Sequence, residues 1–118
     1  MILDSNASVY FFRNPVDMRK GIDGLIDIVV SDMKLDPMSK SIFVFIGRKF
    51  DRLKILHYQK NTFWLCYGRL QSSRFKWPKS WFVDDLLKLD QSALAFFLKG
   101  CDLNGLKPFE EKKVCYMF

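Results

Sequence analysis

The sequence predicts an α+β protein in which a small antiparallel β-meander of three to four strands packs against an amphipathic N-terminal helix, with a short C-terminal helix. Three observations lead to this fold class: helical spacing of apolar residues near the N-terminus, β-branched and aromatic runs in the middle, and a capped apolar segment near residue 90. The 118 residues are 49% hydrophobic, which suffices for one buried core. We therefore expect a single domain over residues 1–118.

The N-terminal part is predicted to contain a strand followed by a helix. The run SVYFF, residues 8–12, is β-branched and aromatic, and the sequence RNP ends it. Asn14 is a candidate N-cap, Pro15 would occupy the first helical position, and Asp17 would lie near the positive helix end. The apolar residues that follow recur at helical spacing over roughly five turns, which predicts one face that packs on a sheet. They are Met18, Ile22, Leu25, Ile26, Val29, Val30 and Met33.

Three strands are predicted in the middle of the chain. IFVFIG, residues 42–47, is apolar on both faces, as expected of a buried central strand. In RLKILHYQ, residues 52–59, the two-residue period of a strand separates Leu53 and its alternate neighbours from the cations Arg52 and Lys54. The dipeptide KN then marks a tight turn, and TFWLCYGRL, residues 62–70, returns as the third strand of an antiparallel meander.

The C-terminal part contains weaker signals. Residues 80–88 are expected to form a short helical turn, on a weak pattern. Asp90 is a candidate N-cap for a helix over about residues 91–99, and a glycine follows that helix. The final EEKKVCYMF is charged and then apolar, so an edge strand and an ordered end both remain open.

Positive charge is concentrated in the middle of the chain. The net charge is +6, and residues 48–79 contain nine basic residues and one acid, whereas the rest of the chain contains ten basic and twelve acidic residues. Such a field attracts a polyanion and weakens with salt, which predicts nucleic-acid contact; a merely basic surface is the alternative. The candidate nucleic-acid-binding residues are Arg48, Lys49, Arg52, Lys54, Arg69, Arg74, Lys76 and Lys79.

Aromatic residues are interleaved with the downstream cations. An exposed ring can stack on an unpaired base, which would suit a nucleic-acid surface. However, large apolar rings are more often buried by folding than left as stacking platforms. We therefore expect Trp64, Phe75, Trp77 and Trp81 to be core residues more often than contact residues.

No catalytic residue, metal site, cofactor or small-molecule substrate is predicted. The chain lacks the phosphate-binding, dinucleotide-binding, metalloprotease and nucleophile-elbow motifs, and its aspartates form no carboxylate triad at a suitable spacing. Three widely spaced cysteines and a single histidine are too few for a zinc site, and reduced thiols are expected. His57 is in phase with Leu53 and Ile55, which favours a packed or hydrogen-bonded histidine over a general base.

The apolar runs are too short to cross a bilayer. IFVFI and ALAFFL are far below the roughly 18 residues that a membrane span needs. The N-terminus also lacks the basic and then apolar pattern of a signal peptide. We expect a soluble, cytoplasmic protein that makes no membrane contact.

Four segments together resemble a known family in their order and spacing. They are PVDMRKGIDGL (15–25), FVFIGRKFDRLKILHY (43–58), FWLCYGRLQSSRFKWP (63–78) and LDQSALAFFLKGCDL (89–103). They resemble the small TnpB accessory proteins of the bacterial insertion-sequence family numbered sixty-six. The resemblance covers roughly residues 9–103 and leaves residues 104–118 as a C-terminal tail.

The resemblance implies a non-catalytic protein that is encoded beside a separate DDE-type transposase and supports DNA transposition. Two functions follow as expectations: binding of the element ends through the basic residues, or docking on the transposase through the DMRKG segment or the loop at Trp77 and Pro78. The positions that match the family motifs, apart from the cations above, are Asp17, Met18, Arg19, Lys20, Gly21, Asp51, Phe75, Trp77 and Pro78.

Overall fold

A computed structural model describes residues 6–98 in full and the backbone of residues 101–102, 107–108 and 115–117. Within this part of the chain, two helices and a 3-10 turn are interspersed among the strands. The strands are β1 (Val9–Phe12), β2 (Ile42–Ile46), β3 (Arg52–Gln59), β4 (Thr62–Leu70), β5 (Leu86–Leu89), β6 (Cys101–Asp102), β7 (Lys107–Pro108) and β8 (Cys115–Met117). The helices are α1 (Ile22–Ser31) and α2 (Gln91–Leu98), with a 3-10 turn at Lys79–Trp81.

The main sheet is mixed, and this corrects the predicted meander of three to four strands. Its central order is β5-β1-β2-β3-β4, and β8 pairs with the outer edge of β4. β1 runs parallel to β2, because α1 carries the chain from one strand to the other. The α+β class is confirmed, but β1, β5 and β8 join the meander from outside its sequence range.

The meander itself forms as predicted. β2 pairs antiparallel with β3, and β3 pairs antiparallel with β4. The turn between β3 and β4 places Lys60 at φ 51° and Asn61 at φ 60°, the pair of left-handed conformations that a two-residue hairpin turn needs. All five residues of β2 are buried, as expected of the central strand.

The first helix is shorter than predicted, because α1 begins at Ile22 and not near Pro15. The backbone N–H of Val16 instead donates to the carbonyl of Ile46 at 2.8 Å, which continues β2 by a parallel bridge between Val16 and Gly47. This tertiary contact holds the segment in an extended conformation. The local helix signals at residues 14–17 are thereby overridden.

The prediction of a helical turn over residues 80–88 is wrong for most of its length. Only Lys79–Trp81 form a 3-10 turn, and Leu86–Leu89 pair antiparallel with β1. The next prediction is confirmed, since α2 follows directly and the Asp90 carboxylate accepts the backbone N–H of Ala93 at 2.8 Å. Position 99, the predicted helix end, lies outside the described residues.

Apolar clusters cover both faces of the sheet. On one face, residues of α1 and of the sheet form one cluster, which consists of Phe12, Val16, Leu25, Ile28, Val29, Met33, Phe43, Phe45 and Leu56. On the other face, residues of α2, of the segment before β5 and of the sheet form a second cluster. It consists of Ala7, Val9, Phe11, Ile42, Val44, Ile46, Leu53, Ile55, Leu70, Phe75, Trp77, Leu87, Leu94 and Phe97. β1, β2 and β3 therefore contribute residues to both clusters.

The described part of the C-terminal tail extends the main sheet. Cys115–Met117 pair antiparallel with residues 68–70 of β4, so this segment forms an edge strand. In the described part of the chain, helices are too short and insufficiently apolar to span a membrane.

Candidate functional site

The turn between β2 and β3 presents two exposed cations on a hydrogen-bonded backbone. The backbone N–H of Gly47 donates to the carbonyl of Arg52 at 2.9 Å, and the N–H of Phe50 donates to the Gly47 carbonyl at 3.0 Å. Phe50 adopts φ 60°, in the left-handed region that tight turns use. Arg48 and Lys49 are exposed. The turn therefore displays both charges at one end of the sheet.

The DMRKG segment, residues 17–21, packs against this turn. A Cβ placed on Gly47 would lie 2.8 Å from Met18 Cγ, so glycine is what permits this close approach. A cavity of about 170 Å³ lies between the segment and the turn. Its walls include Asp17, Met18, Arg48, Lys49, Asp51 and Arg52. The family motif and the upstream basic residues therefore meet at one cavity.

Arg52 and Arg69 lie directly opposite each other in the β3–β4 register. Arg69 is exposed, and the Arg52 side chain is 40% exposed. The carboxylate of Asp51 lies 3.9 Å from Arg52 Nε, which is too far for a hydrogen bond. Like charges directly opposite in a ladder are destabilising, so this pair favours an external anion.

Lys54 makes its contacts with other residues of the protein. Its Nζ donates to the backbone carbonyl of Lys20 at 2.8 Å and lies 5.5 Å from the ring centre of Tyr67. Tyr67 is its partner in the β3–β4 register, so the ammonium rests on an aromatic neighbour. Lys54 consequently ties the DMRKG segment to β3.

The downstream part of the basic sequence is attached to the same turn. The backbone N–H of Phe75 donates to the Phe50 carbonyl at 2.6 Å, and the N–H of Leu70 donates to the Asp51 carbonyl at 2.8 Å. The ammonium of Lys79 lies 5.2 Å from the centre of the Phe50 ring. Phe50 therefore joins the two halves of the basic sequence. Phe50 is not among the residues that the sequence singled out as candidates.

A second, open cavity lies beside this junction. It has a volume of about 630 Å³, and Arg74, Lys76 and Lys79 contribute to its walls together with Phe50. All three cations are exposed. We use the name basic surface for Arg48, Lys49, Arg52, Arg69, Arg74, Lys76 and Lys79, which occupy the β2–β3 turn, the adjoining ends of β3 and β4, and the segment that follows.

The aromatic residues of the basic sequence divide into two groups. Phe75 and Trp77 are only 4% and 5% exposed, and Pro78 is buried as well. The indole N–H of Trp77 donates to the carbonyl of Arg13 at 3.1 Å. These residues belong to the core and present no exposed contact surface. Trp64 and Trp81, in contrast, are partly exposed.

Asp17 and Arg19 form a bidentate ion pair at the start of the DMRKG segment. Arg19 Nη2 lies 2.7 Å from Asp17 Oδ2, and the backbone N–H of Arg19 donates to Oδ1 at 2.9 Å. The guanidinium hydrogen bond, followed by the backbone one, holds the pKa of the Asp17 carboxyl well below its usual range. The same contact raises the pKa of Arg19. The carboxylate thus fixes a turn before α1.

We expect Arg19→Ala to raise the pKa of Asp17 toward the ordinary value of about 3.9, because both the charge and the side-chain donor are removed. Carboxyl carbon shifts in an NMR titration will measure this, with Lys20→Ala as the control for loss of a neighbouring cation. Because folding lowers this pKa, the pair stabilises the fold above about pH 4 and ceases to do so as the pH falls through the folded value. An equal rise in both variants would contradict the assignment.

His57 is a packed histidine, as the sequence predicts. It is fully buried, and its Nδ1 lies 3.1 Å from the carbonyl of Ser41. Across the described residues, His, Cys, Asp and Glu side chains form no group of three that could hold a metal ion.

The sequence of this chain is similar to one protein family and to two proteins of one organism. Residues 7–108 match the family model described as "IS66 Orf2 like protein". The uncharacterized protein y4jC of Sinorhizobium fredii is 30% identical over 93 residues, which cover 79% of this chain and 78% of that protein. The uncharacterized protein y4hO of the same organism is 30% identical over 97 residues, which cover 82% and 83%. No solved structure matches the chain.

These matches define the class of the protein as an accessory protein of an insertion sequence. The chain belongs to the IS66 Orf2-like family, and the matched range covers the DMRKG segment, the whole basic surface and both helices.

Proposed function

We propose that the protein supports transposition by binding duplex DNA through the basic surface, with no catalytic step of its own. The observation that carries this proposal is the direct opposition of Arg52 and Arg69 in the β3–β4 register. Like charges at directly opposite positions are unfavourable, and the acid recorded beside this pair, Asp51, lies 3.9 Å from Arg52 Nε, beyond hydrogen-bond distance. A phosphate between them would replace the repulsion with charge-assisted hydrogen bonds.

The surrounding cations support contact with several phosphates. Arg48 and Lys49 flank the pair on the turn, and Arg74 and Lys76 follow from the segment that Phe50 holds in place. Arginine and lysine contacts to phosphates position a protein on DNA without reading its sequence. We therefore propose backbone contact as the main source of affinity. Lys54 positions the DMRKG segment and is not proposed as a phosphate contact.

The test is fluorescence anisotropy on labelled element-end and scrambled duplexes over a salt series. Log affinity should fall linearly with log salt, with a slope of about −0.9 per phosphate contacted. Arg52→Gln/Arg69→Gln should weaken binding and make the slope shallower by about 1.8, since two contacts are lost. Lys34→Ala/Lys88→Ala removes the same charge outside the basic surface and is the matched control. Absence of binding at low salt, or equal losses in the two double variants, would contradict the proposal.

Docking on the separate DDE-type transposase is the alternative function. Trp77 and Pro78 are buried, so the DMRKG segment is the surface that supports it. In this segment the Arg19 side chain is 91% exposed, and the ion pair with Asp17 holds it in place. Co-purification with the transposase after nuclease treatment, lost on Arg19→Ala and kept in Arg52→Gln/Arg69→Gln, would favour docking over DNA binding.

A further inference from the structure

A separate cavity lies at the opposite end of the sheet from the basic surface. Its volume is about 300 Å³, and it is lined by Lys40, His57, Gln59 and Lys60. Arg52 and His57 are about 17 Å apart along β3, at roughly 3.3 Å per residue. Lys40 and Lys60 are exposed, and no acid is among the four lining residues. The cavity therefore favours an anionic group at its mouth.

The inner wall of this cavity carries a buried hydrogen-bond acceptor. His57 Nδ1 lies 3.1 Å from the carbonyl of Ser41, and a carbonyl can only accept, so Nδ1 holds the proton of the neutral ring. His57 Nε2 is then an acceptor, and it has no hydrogen-bond partner among the described residues. His57 is 0% exposed, so its Nε2 atom is closed to ligands in the free protein. Gln59, which is only partly buried, offers the cavity an amide that can donate and accept.

An exposed aromatic side chain lies on the strand that pairs with the His57 strand. Trp64 lies directly opposite His57 in the β3–β4 register, so both side chains project from the same face of the sheet. Trp64 is 46% exposed, although it is a large apolar residue. An exposed indole next to lysines is the arrangement on which unpaired bases stack.

We propose that this site binds an unpaired nucleotide of a DNA strand. The base stacks on Trp64, a base N–H group donates to the Gln59 amide oxygen, and Lys40 and Lys60 contact the flanking phosphates. A phosphodiester alone offers acceptors only, whereas a nucleotide offers both the anion and the donor. The proposal goes beyond the duplex contact proposed above, because it concerns another ligand at the other end of the sheet.

The test compares a labelled single strand with a blunt duplex of the same length, in the same buffer. Trp64→Ala should weaken single-strand binding by roughly 5- to 150-fold, the range for loss of one stacked base, and leave duplex binding unchanged. Trp81→Ala is the matched control, because Trp81 is also partly exposed, at 38%. Unchanged single-strand binding in Trp64→Ala, or equal losses in the two variants, would overturn the proposal.

Substitution of Lys40 and Lys60 provides a second measurement, which does not depend on replacing Trp64. Lys40→Ala/Lys60→Ala should make the salt slope for the single strand shallower by about 1.4, at roughly 0.7 per phosphate, and leave the duplex slope unchanged. Lys34→Ala/Lys88→Ala is again the control of equal charge. A reduced slope for duplex and single strand alike would overturn a dedicated single-strand site. The Arg52→Gln/Arg69→Gln variant reports on the duplex proposal separately, so failures of the two are distinguishable.

Discussion

Trp77→Ala is expected to lower the free energy of unfolding by about 3–5 kcal/mol, the usual cost of removing a buried Trp from a core. The Trp77 ring is 5.2 Å from the ring of Phe11, 5.7 Å from Phe97 and 5.9 Å from Phe82, between centroids. Its indole also donates to the carbonyl of Arg13. The substitution therefore creates a cavity between the sheet and α2 and removes a hydrogen bond.

Urea denaturation followed by circular dichroism will measure this loss as a lower midpoint. Trp81→Ala is the control, because Trp81 is 38% exposed and should cost about 1 kcal/mol or less. Trp77→Phe should fall between the wild type and Trp77→Ala, since it keeps most of the ring and loses the N–H donor. Equal midpoints for Trp77→Ala and Trp81→Ala would show that the ring does not support the core.

Gly47→Ala is expected to destabilise the protein by about 1–3 kcal/mol through overpacking. The new Cβ would lie 2.8 Å from Met18 Cγ, which is too close for a side-chain contact. Met18 must then move away from the turn, and the DMRKG segment must move with it. The cavity of about 170 Å³ between them would change shape.

A double-mutant cycle isolates this contact. In a Met18→Ala background the Cγ atom is absent, so Gly47→Ala should cost close to nothing. The free energies of unfolding of the four variants give the coupling directly, and contacting residues usually show about 0.5–3 kcal/mol. Additive effects would mean that the clash is relieved elsewhere in the turn.

Strands β2, β3 and β4 could be predicted because their signals are local. Apolar residues on both faces of IFVFI, alternation in RLKILHYQ and the turn at Lys60 and Asn61 each act within a few residues. β5 could not be predicted in this way. Its four residues LLKL become a strand only by pairing with β1, which lies far away in the sequence.

The start of α1 shows how a tertiary contact overrides a local signal. Asn14, Pro15 and Asp17 are typical of a helix start, yet the Asp17 carboxylate caps the Arg19 N–H in a separate turn. The hydrogen bond from Val16 to Ile46 explains the difference, because extending β2 competes with the helix for the same backbone. The helix propensities of residues 14–17 contain no information about Ile46, the partner in this hydrogen bond.

For the candidate site, the sequence located the concentration of positive charge but not which cations face each other and which contact other residues of the protein. The excess of cations in residues 48–79 predicted a basic surface, and the structure brings the two segments together at Phe50. The opposition of Arg52 and Arg69 depends on the β3–β4 register, and the hydrogen bond of Lys54 depends on where Lys20 lies. Both require the folded chain.

The position of β1 between β2 and β5 has a consequence for the order in which the chain can mature on a ribosome. The β2–β3 and β3–β4 hairpins need only neighbouring sequence, so they can pair as soon as they have been made. β1 is synthesised before these hairpins, yet its hydrogen-bonding edge toward β5 stays open until residue 89 has emerged. Among β1, β2 and β3, the strand that is made first is therefore the last to be enclosed on both sides.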